Sequence, residues 1–138
     1  VRRHGPCATI SKTNELLLLT VEQVGTLHDL VLNPGELSGR ARDKSLDEAL
    51  ARVDNRILYG MIEDVFDLAA AYAEAIAQGH CFNDANKRTA YRAMIVCLKL
   101  NGVLLTHDTE DTGQQIIRLA RGRIDAGALA DWLRARAG

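Results

Sequence analysis

The sequence predicts an all-α fold: a compact single-domain bundle of about six helices around a central motif helix. Three observations predict it. Apolar residues recur at helical spacing along the long segments, as in Ile62, Val65, Phe66, Ala69, Ala73 and Ile76. Two stretches, Thr20-Val-Glu-Gln23 and Ser45-Leu-Asp-Glu48, have the form of a capping box. Asn33-Pro34-Gly35, Asn101-Gly102 and Gly122 then supply stops.

The first box opens a helix through about Leu32, with Val21, Val24, Leu27 and Val31 turned inward. From Gly35 to Lys44 the chain is rich in glycine and charge and has no apolar period, which predicts a loop or a short hairpin around Ser38-Gly39. The second box starts a helix through about Val53, and Asp54 to Tyr59 bridges into a long helix from Gly60 to Gln78. Gly79 is the natural stop, since glycine most readily takes the positive φ that ends a helix. A second long helix opens at about Asp84 or Ala85, with Asn83 or Asp84 as its cap, and is apolar on nearly every side from Ala90 to Leu100. Val103 to Thr106 is a brief extended or loop segment. Asp108 or Thr109 caps a helix to about Arg121, and Asp125 caps the last one, which turns Leu129, Trp132 and Leu133 inward. Residues 1–14 are polar and aperiodic and read as a leader, an expression remnant or a disordered tail, leaving 15–138 as the domain.

Composition narrows the function classes. With 138 residues, 47% hydrophobic and 25% charged, the chain suits one soluble domain with a single core. A net charge of -1 provides no global field to recruit nucleic acid or an acidic membrane, and 4% aromatics leave few stacking platforms for single strands. Neither nucleic acid nor membrane is expected as a partner. Leu16 to Leu19 is too short to span a bilayer. The three cysteines, Cys7, Cys81 and Cys97, lack metal-ligand spacing and suit reduced thiols in a cytoplasm.

The chemistry concentrates in His80-Cys81-Phe82-Asn83-Asp84-Ala85-Asn86-Lys87-Arg88-Thr89-Ala90, between the two long helices. Lys87 and Arg88 fall in the first turn, where the helix dipole disfavours cations, and so point to an external anion such as phosphate. His80 has the reactivity of a general base near neutral pH. Asp84 can cap the helix, yet a lone carboxylate near phosphates is also how Mg²⁺ is commonly held. Asn86 orients the loop or donates to a phosphate. Arg88 can fork onto phosphate oxygens, Lys87 can act on them as a point charge, and Phe82 packs as scaffold. Cys81 lacks the partner a thiol nucleophile needs. The dipeptides His28-Asp29 and His107-Asp108 lack the further histidine of a metal site, placing His28 on a helix face and His107 in a loop.

His-x-Phe-x-Asp-Ala-Asn-Lys-Arg resembles the active-site motif of the Fic/Doc superfamily, most closely the Doc (death-on-curing) toxin branch, and the likeness extends over roughly Leu18 to the C-terminus. The Fic form reads His-Pro-Phe-x-Asp/Glu-Gly-Asn-Gly-Arg-x-x-Arg; this chain departs from it at Cys81, Ala85, Lys87 and Tyr91. The resemblance implies a Fic/Doc-like fold and ATP and Mg²⁺ as cofactors. It also implies His80 as catalytic base and Asp84 at the metal, and the free helix start with Lys87-Arg88 places the nucleotide phosphates about Asn83, Asp84, Asn86, Lys87 and Arg88. Ala85, Lys87 and Tyr91 follow the Doc branch, implying γ-phosphoryl transfer to a threonine of elongation factor Tu, a block of translation, and an antitoxin partner. The alternatives are AMP transfer to a protein hydroxyl and a catalytically silent binding module. Its aperiodic, glycine-rich composition and the same resemblance make the loop from Gly35 to Lys44 an expected target-docking flap, with Leu37 and Arg40 as contacts; the alternative is an ordinary surface connection.

Overall fold

The computed structural model describes residues 16–106 and 108–137 and contains six helices. They are α1 (Val21–Val31), α2 (Leu46–Leu58), α3 (Val65–Gly79), α4 (Asn86–Leu100), α5 (Thr109–Ala120) and α6 (Ala126–Arg134). The expectations for residues 1–14, Cys7 and His107 lie outside the described residues.

Side chains start most of these helices where the sequence places the caps. Thr20 and Gln23 complete a reciprocal capping box on α1. Ser45 Oγ accepts from Glu48 N at 3.1 Å, and Asp108 and Asp125 cap α5 and α6. Three helices end in Schellman turns on left-handed glycines, Gly60, Gly102 and Gly122.

The two boundaries around the α2–α3 connection differ from expectation. Helix α2 runs on to Leu58, because Ile57 follows Val53 by four residues on the same side and packs against the core. Helix α3 therefore begins only at Val65, where Asp64 accepts from Asp67 N at 3.0 Å, and the segment from Tyr59 to Asp64 is a connection.

Helix α3 packs against α2, α4, α5 and α6, while α4 packs against α3, α1 and α5. The two form the centre together. Small side chains at Ala69, Ala70, Ala71, Ala73, Ala75 and Ala77 are all buried, so α3 can be surrounded at close range. The segment before α1 belongs to this core: Leu16, Leu18 and Leu19 are buried. Asn101, itself fully buried, accepts from Leu17 N at 2.7 Å and donates to Leu17 O at 3.0 Å and Cys97 O at 2.9 Å. Near the C-terminus, Leu105 forms an isolated antiparallel bridge with Ala137.

Arg134 ties α6 to the start of α3, forking onto both carboxylate oxygens of Asp64 at 3.0 Å and reaching Asp67 at 2.7 Å. Burial pushes the Asp64 carboxyl up, but the Arg134 fork and the backbone N–H groups of Asp67 and Phe66 outweigh it and hold the pKa below its ordinary value. Such a carboxylate contributes stability above its unfolded pKa of about 3.9, and loses it as pH falls through the lower folded value. Arg134→Gln is therefore expected to cost about 1–2 kcal/mol at neutral pH. It should also flatten the acid side of the stability profile, read from urea unfolding between neutral pH and pH 3. An unchanged acid slope would assign that loss to other carboxylates.

Candidate active site

The motif occupies the connection between α3 and α4, where the backbone is unusual. His80, the C-cap of α3, has φ 49° and ψ 42°, and Ala85, the N-cap of α4, has φ 63° and ψ 28°. These are the two non-glycine residues with positive φ among the described residues, and they bracket the loop. Gly79 does not supply the positive φ expected of it, for it is the last helical residue. Its lack of a side chain matters for another reason: a Cβ there would lie 2.9 Å from Cys81 Sγ.

Positive φ in alanine stores strain of about 1–3 kcal/mol. Ala85→Gly should therefore raise stability by about 1 kcal/mol, seen as a higher urea midpoint at unchanged slope. A lower midpoint would mean that the turn is not strained.

The left-handed cap also overturns the expected capping of the motif helix. Helix α4 starts at Asn86, and no side chain caps it. Asn83 Nδ2 instead donates to Ser38 O at 3.0 Å, and Asp84 Oδ2 accepts from Leu37 N at 2.8 Å. Turning the chain at Ala85 leaves both side chains on the loop before α2 rather than over the helix end. Asn86 closes the motif on itself, accepting from Phe82 N at 3.1 Å and donating to Phe82 O at 3.0 Å. Both ends of its amide are therefore engaged in orienting the loop.

Phe82 and Cys81 plug the loop into the core, both buried. Burial pushes the Cys81 thiol pKa up against the pull of Arg52, Arg40 and Lys44, the direction that disfavours a thiolate nucleophile. Phe82 stacks on His28, with centroids 3.9 Å apart and planes 8° from parallel.

The loop expected around Gly35 to Lys44 is a loop, but it forms no hairpin of its own. It pairs with the motif: Arg40 and Phe82 form an isolated antiparallel bridge, Ala41 N donates to Cys81 O at 2.8 Å, and Asn83 N donates to Gly39 O at 3.1 Å. Leu37 at its tip is 63% exposed, a large apolar side chain left in solvent, and Arg40 lies 3.7 Å from Asp47.

Beneath this loop is a cavity of about 370 Å³ lined by Glu36, Ala77, His80, Asn83, Asp84, Ala85, Asn86, Lys87 and Arg88. Every expected motif residue is thus brought together, whereas Leu37 and Arg40 are not part of the wall. Its size falls within the range of small-molecule sites. The His80 imidazole is exposed and makes no hydrogen bond or ion pair with the described residues; the same holds for the Lys87 ammonium. Arg88 is engaged. Its guanidinium pairs with Glu36 and donates to Val31 O at 2.6 Å, and the Arg88 contact holds the Glu36 carboxyl below its ordinary pKa. An adjoining apolar cavity of about 270 Å³ shares Lys87 and Arg88 and is otherwise lined by Tyr91, Thr109, Gly113, Ile116 and Ile117.

No group of three or more His, Cys, Asp or Glu suited to a metal exists among the described residues. Mg²⁺ needs no such group when phosphates supply oxygens. Asp84 fits that lesser demand: Oδ2 takes the Leu37 N–H, and Oδ1 has no protein partner among the described residues.

Two residues of the site are not singled out by sequence reasoning. Glu36 looks like one charge among many in a polar loop. His28, expected on a helix face, is 1% exposed and bonded through Nε2 to Asp84 O at 2.8 Å. Its spacing of four from buried Val24 is the signal that could have found it.

An all-α bundle presenting a His-x-Phe-x-Asp-x-Asn loop at an uncapped helix start fits the fold and motif that the resemblance implies. The model of the Fic/DOC family matches residues 18–98, and the chain belongs to that family. It is similar to "Protein kinase doc" of Escherichia phage P1, 35% identical over 117 residues that cover 84% of this chain and 92% of that protein. "Toxin Doc" of Mycolicibacterium smegmatis (strain ATCC 700084 / mc(2)155) is 37% identical over 76 residues, covering 54% of this chain and 57% of that one. No described helix is long and apolar enough to cross a membrane.

Proposed function

We propose that this chain is a toxin of the Doc type, a protein-modifying transferase that moves the γ-phosphoryl group of ATP to a threonine hydroxyl of elongation factor Tu. The observation that carries the reading is the unengaged His80 imidazole, set on the same cavity as Asp84, Lys87 and the uncapped start of α4. The naming of a 35% identical relative as a protein kinase supports it. An antitoxin protein as partner and a cytoplasmic setting belong to the same reading.

In this mechanism His80 takes the proton of the threonine hydroxyl as its oxygen bonds to the γ-phosphorus. The bond from the γ-phosphorus to the bridging oxygen breaks, and ADP leaves. The backbone N–H groups at the start of α4 and the Lys87 ammonium receive the phosphate charge. Arg88 joins them by giving up Glu36. Mg²⁺, held by Asp84 and phosphate oxygens, would neutralise the charge that develops between the phosphates. The loop from Gly35 to Lys44 docks the target, with Leu37 and Arg40 as its contacts.

The second reading, AMP transfer, uses the same base with the nucleotide reversed. The Ala85 methyl on the cavity wall and Lys87 in the first turn favour the first reading, by narrowing the path that small residues would leave open. Incubation with elongation factor Tu and ATP labelled separately at the α and γ phosphates tests both. A mass gain of one phosphate supports the kinase, a gain of one AMP overturns it in favour of nucleotidyl transfer, and no gain on any hydroxyl leaves a binding module.

A further inference from the structure

We propose that His28 is a positioning residue for the transfer, holding the turn that carries Asp84 in its working geometry. The proposal rests on the reading of Asp84 as the residue facing metal and phosphate. His28 lies on α1, 56 positions before Asp84 in the chain, and is 1% exposed. Its Nε2 stands 2.8 Å from the Asp84 carbonyl oxygen. A carbonyl can only accept, so Nε2 carries the proton. Nδ1 is 3.7 Å from Asp29 Oδ1, too far for a hydrogen bond to hold the ring from that side. The ring is instead oriented by its face, stacked on Phe82.

This contact bears on a particular torsion. The Asp84 carbonyl belongs to the peptide that leads into Ala85, whose φ of 63° is unfavourable for alanine. Fixing the direction of that carbonyl fixes the peptide plane, and with it the left-handed turn that points the Asp84 side chain at Leu37 and the cavity rather than at the helix end. A second contact from α1 acts on the other side of the turn, where Val31 O accepts from Arg88 at 2.6 Å. The last turns of α1 thus grip the motif before and after Ala85. Without the Nε2 donor, a part-buried carbonyl loses its partner and the turn loses what offsets its strain.

Three substitutions test this by measuring kcat, KM for ATP, and Mg²⁺ affinity in the presence of ADP. His28→Leu keeps much of the volume and removes the donor. His28→Gln places an amide N–H near the position of Nε2, whereas His28→Asn carries the same group too short to reach. For His28→Leu we expect kcat and Mg²⁺ affinity to fall about 10–100-fold, with KM for ATP moving less. His28→Gln should recover most of that loss and His28→Asn should not. Should His28→Leu fail to fold, the contrast between glutamine and asparagine decides. Wild-type values in His28→Leu overturn the proposal, and so do equal losses in glutamine and asparagine, which would make His28 a packing residue only. Failure of the underlying reading looks different: the wild-type protein itself would bind no Mg²⁺ with ADP, and the proposal would fall with it.

Discussion

Turnover of the protein target should fall about 10²–10⁴-fold when His80 is replaced by alanine, the usual contribution of a positioned general base, while nucleotide affinity is largely kept. The structure makes this substitution informative. The imidazole is exposed and supports nothing else, since no described residue is hydrogen-bonded or ion-paired to it. Removing it should leave the loop intact, for the loop is held by Asn86 on Phe82, by Asp84 and Asn83 on residues 37–38, and by the bridge from Arg40. Histidine tolerates the left-handed backbone at position 80 better than alanine, so His80→Ala should lose some stability without losing the fold. Single-turnover measurement by intact mass, paired with calorimetry of nucleotide binding, separates the two quantities. Near-normal turnover in His80→Ala would remove the histidine from the mechanism and move the search for a base elsewhere on the cavity wall.

Asp84 is expected to show an equally large effect, with its two tasks separable by choice of substitution. Its Oδ2 accepts from Leu37 N at 2.8 Å and anchors the loop before α2, while its charge is what a metal would need. Asp84→Asn keeps an acceptor for Leu37 and drops the charge; Asp84→Ala drops both. Loss of a metal's charge stabilisation amounts to several kcal/mol, so both variants should lose metal-dependent turnover by about 10²-fold or more. Only the alanine variant should release the loop, measured as faster amide hydrogen exchange at Leu37. Turnover by Asp84→Asn at the wild-type rate and Mg²⁺ dependence would exclude the metal role and leave Asp84 as an anchor.

The fold is readable in the sequence where local chemistry decides it. Thr20, Ser45, Asp108 and Asp125 accept from N–H groups two or three residues ahead, so their helix starts need no knowledge of the rest of the chain. The end of α2 is harder to place because Asp54, Asn55 and Arg56 interrupt the apolar pattern for most of a turn before Ile57 resumes it. The start of α4 is misplaced for a sharper reason. Alanine rarely adopts positive φ, so the pattern favours Asn83 or Asp84 as the cap, and only tertiary contacts such as His28 to the Asp84 carbonyl hold Ala85 left-handed. The motif residues of the site share one loop and are found together. Glu36 and His28 come from elements about fifty positions away, and no local spacing connects them to Arg88 and Asp84.

The way the loop from Gly35 to Lys44 is attached bears on the proposal that it docks the target. Ala41 N to Cys81 O and Asn83 N to Gly39 O are bonds between main chains, indifferent to the side chains on either strand. Even the Asp84 carboxylate and the Asn83 amide grip the backbone of Leu37 and Ser38 rather than their side chains. Leu37, largely exposed, can therefore be rewritten without loosening the anchor or disturbing the chemistry beneath it. Were the loop to dock the target as proposed, a library varied there would sample new recognition surfaces on an unaltered transferase, and retargeting would become a matter of exchanging what the loop displays.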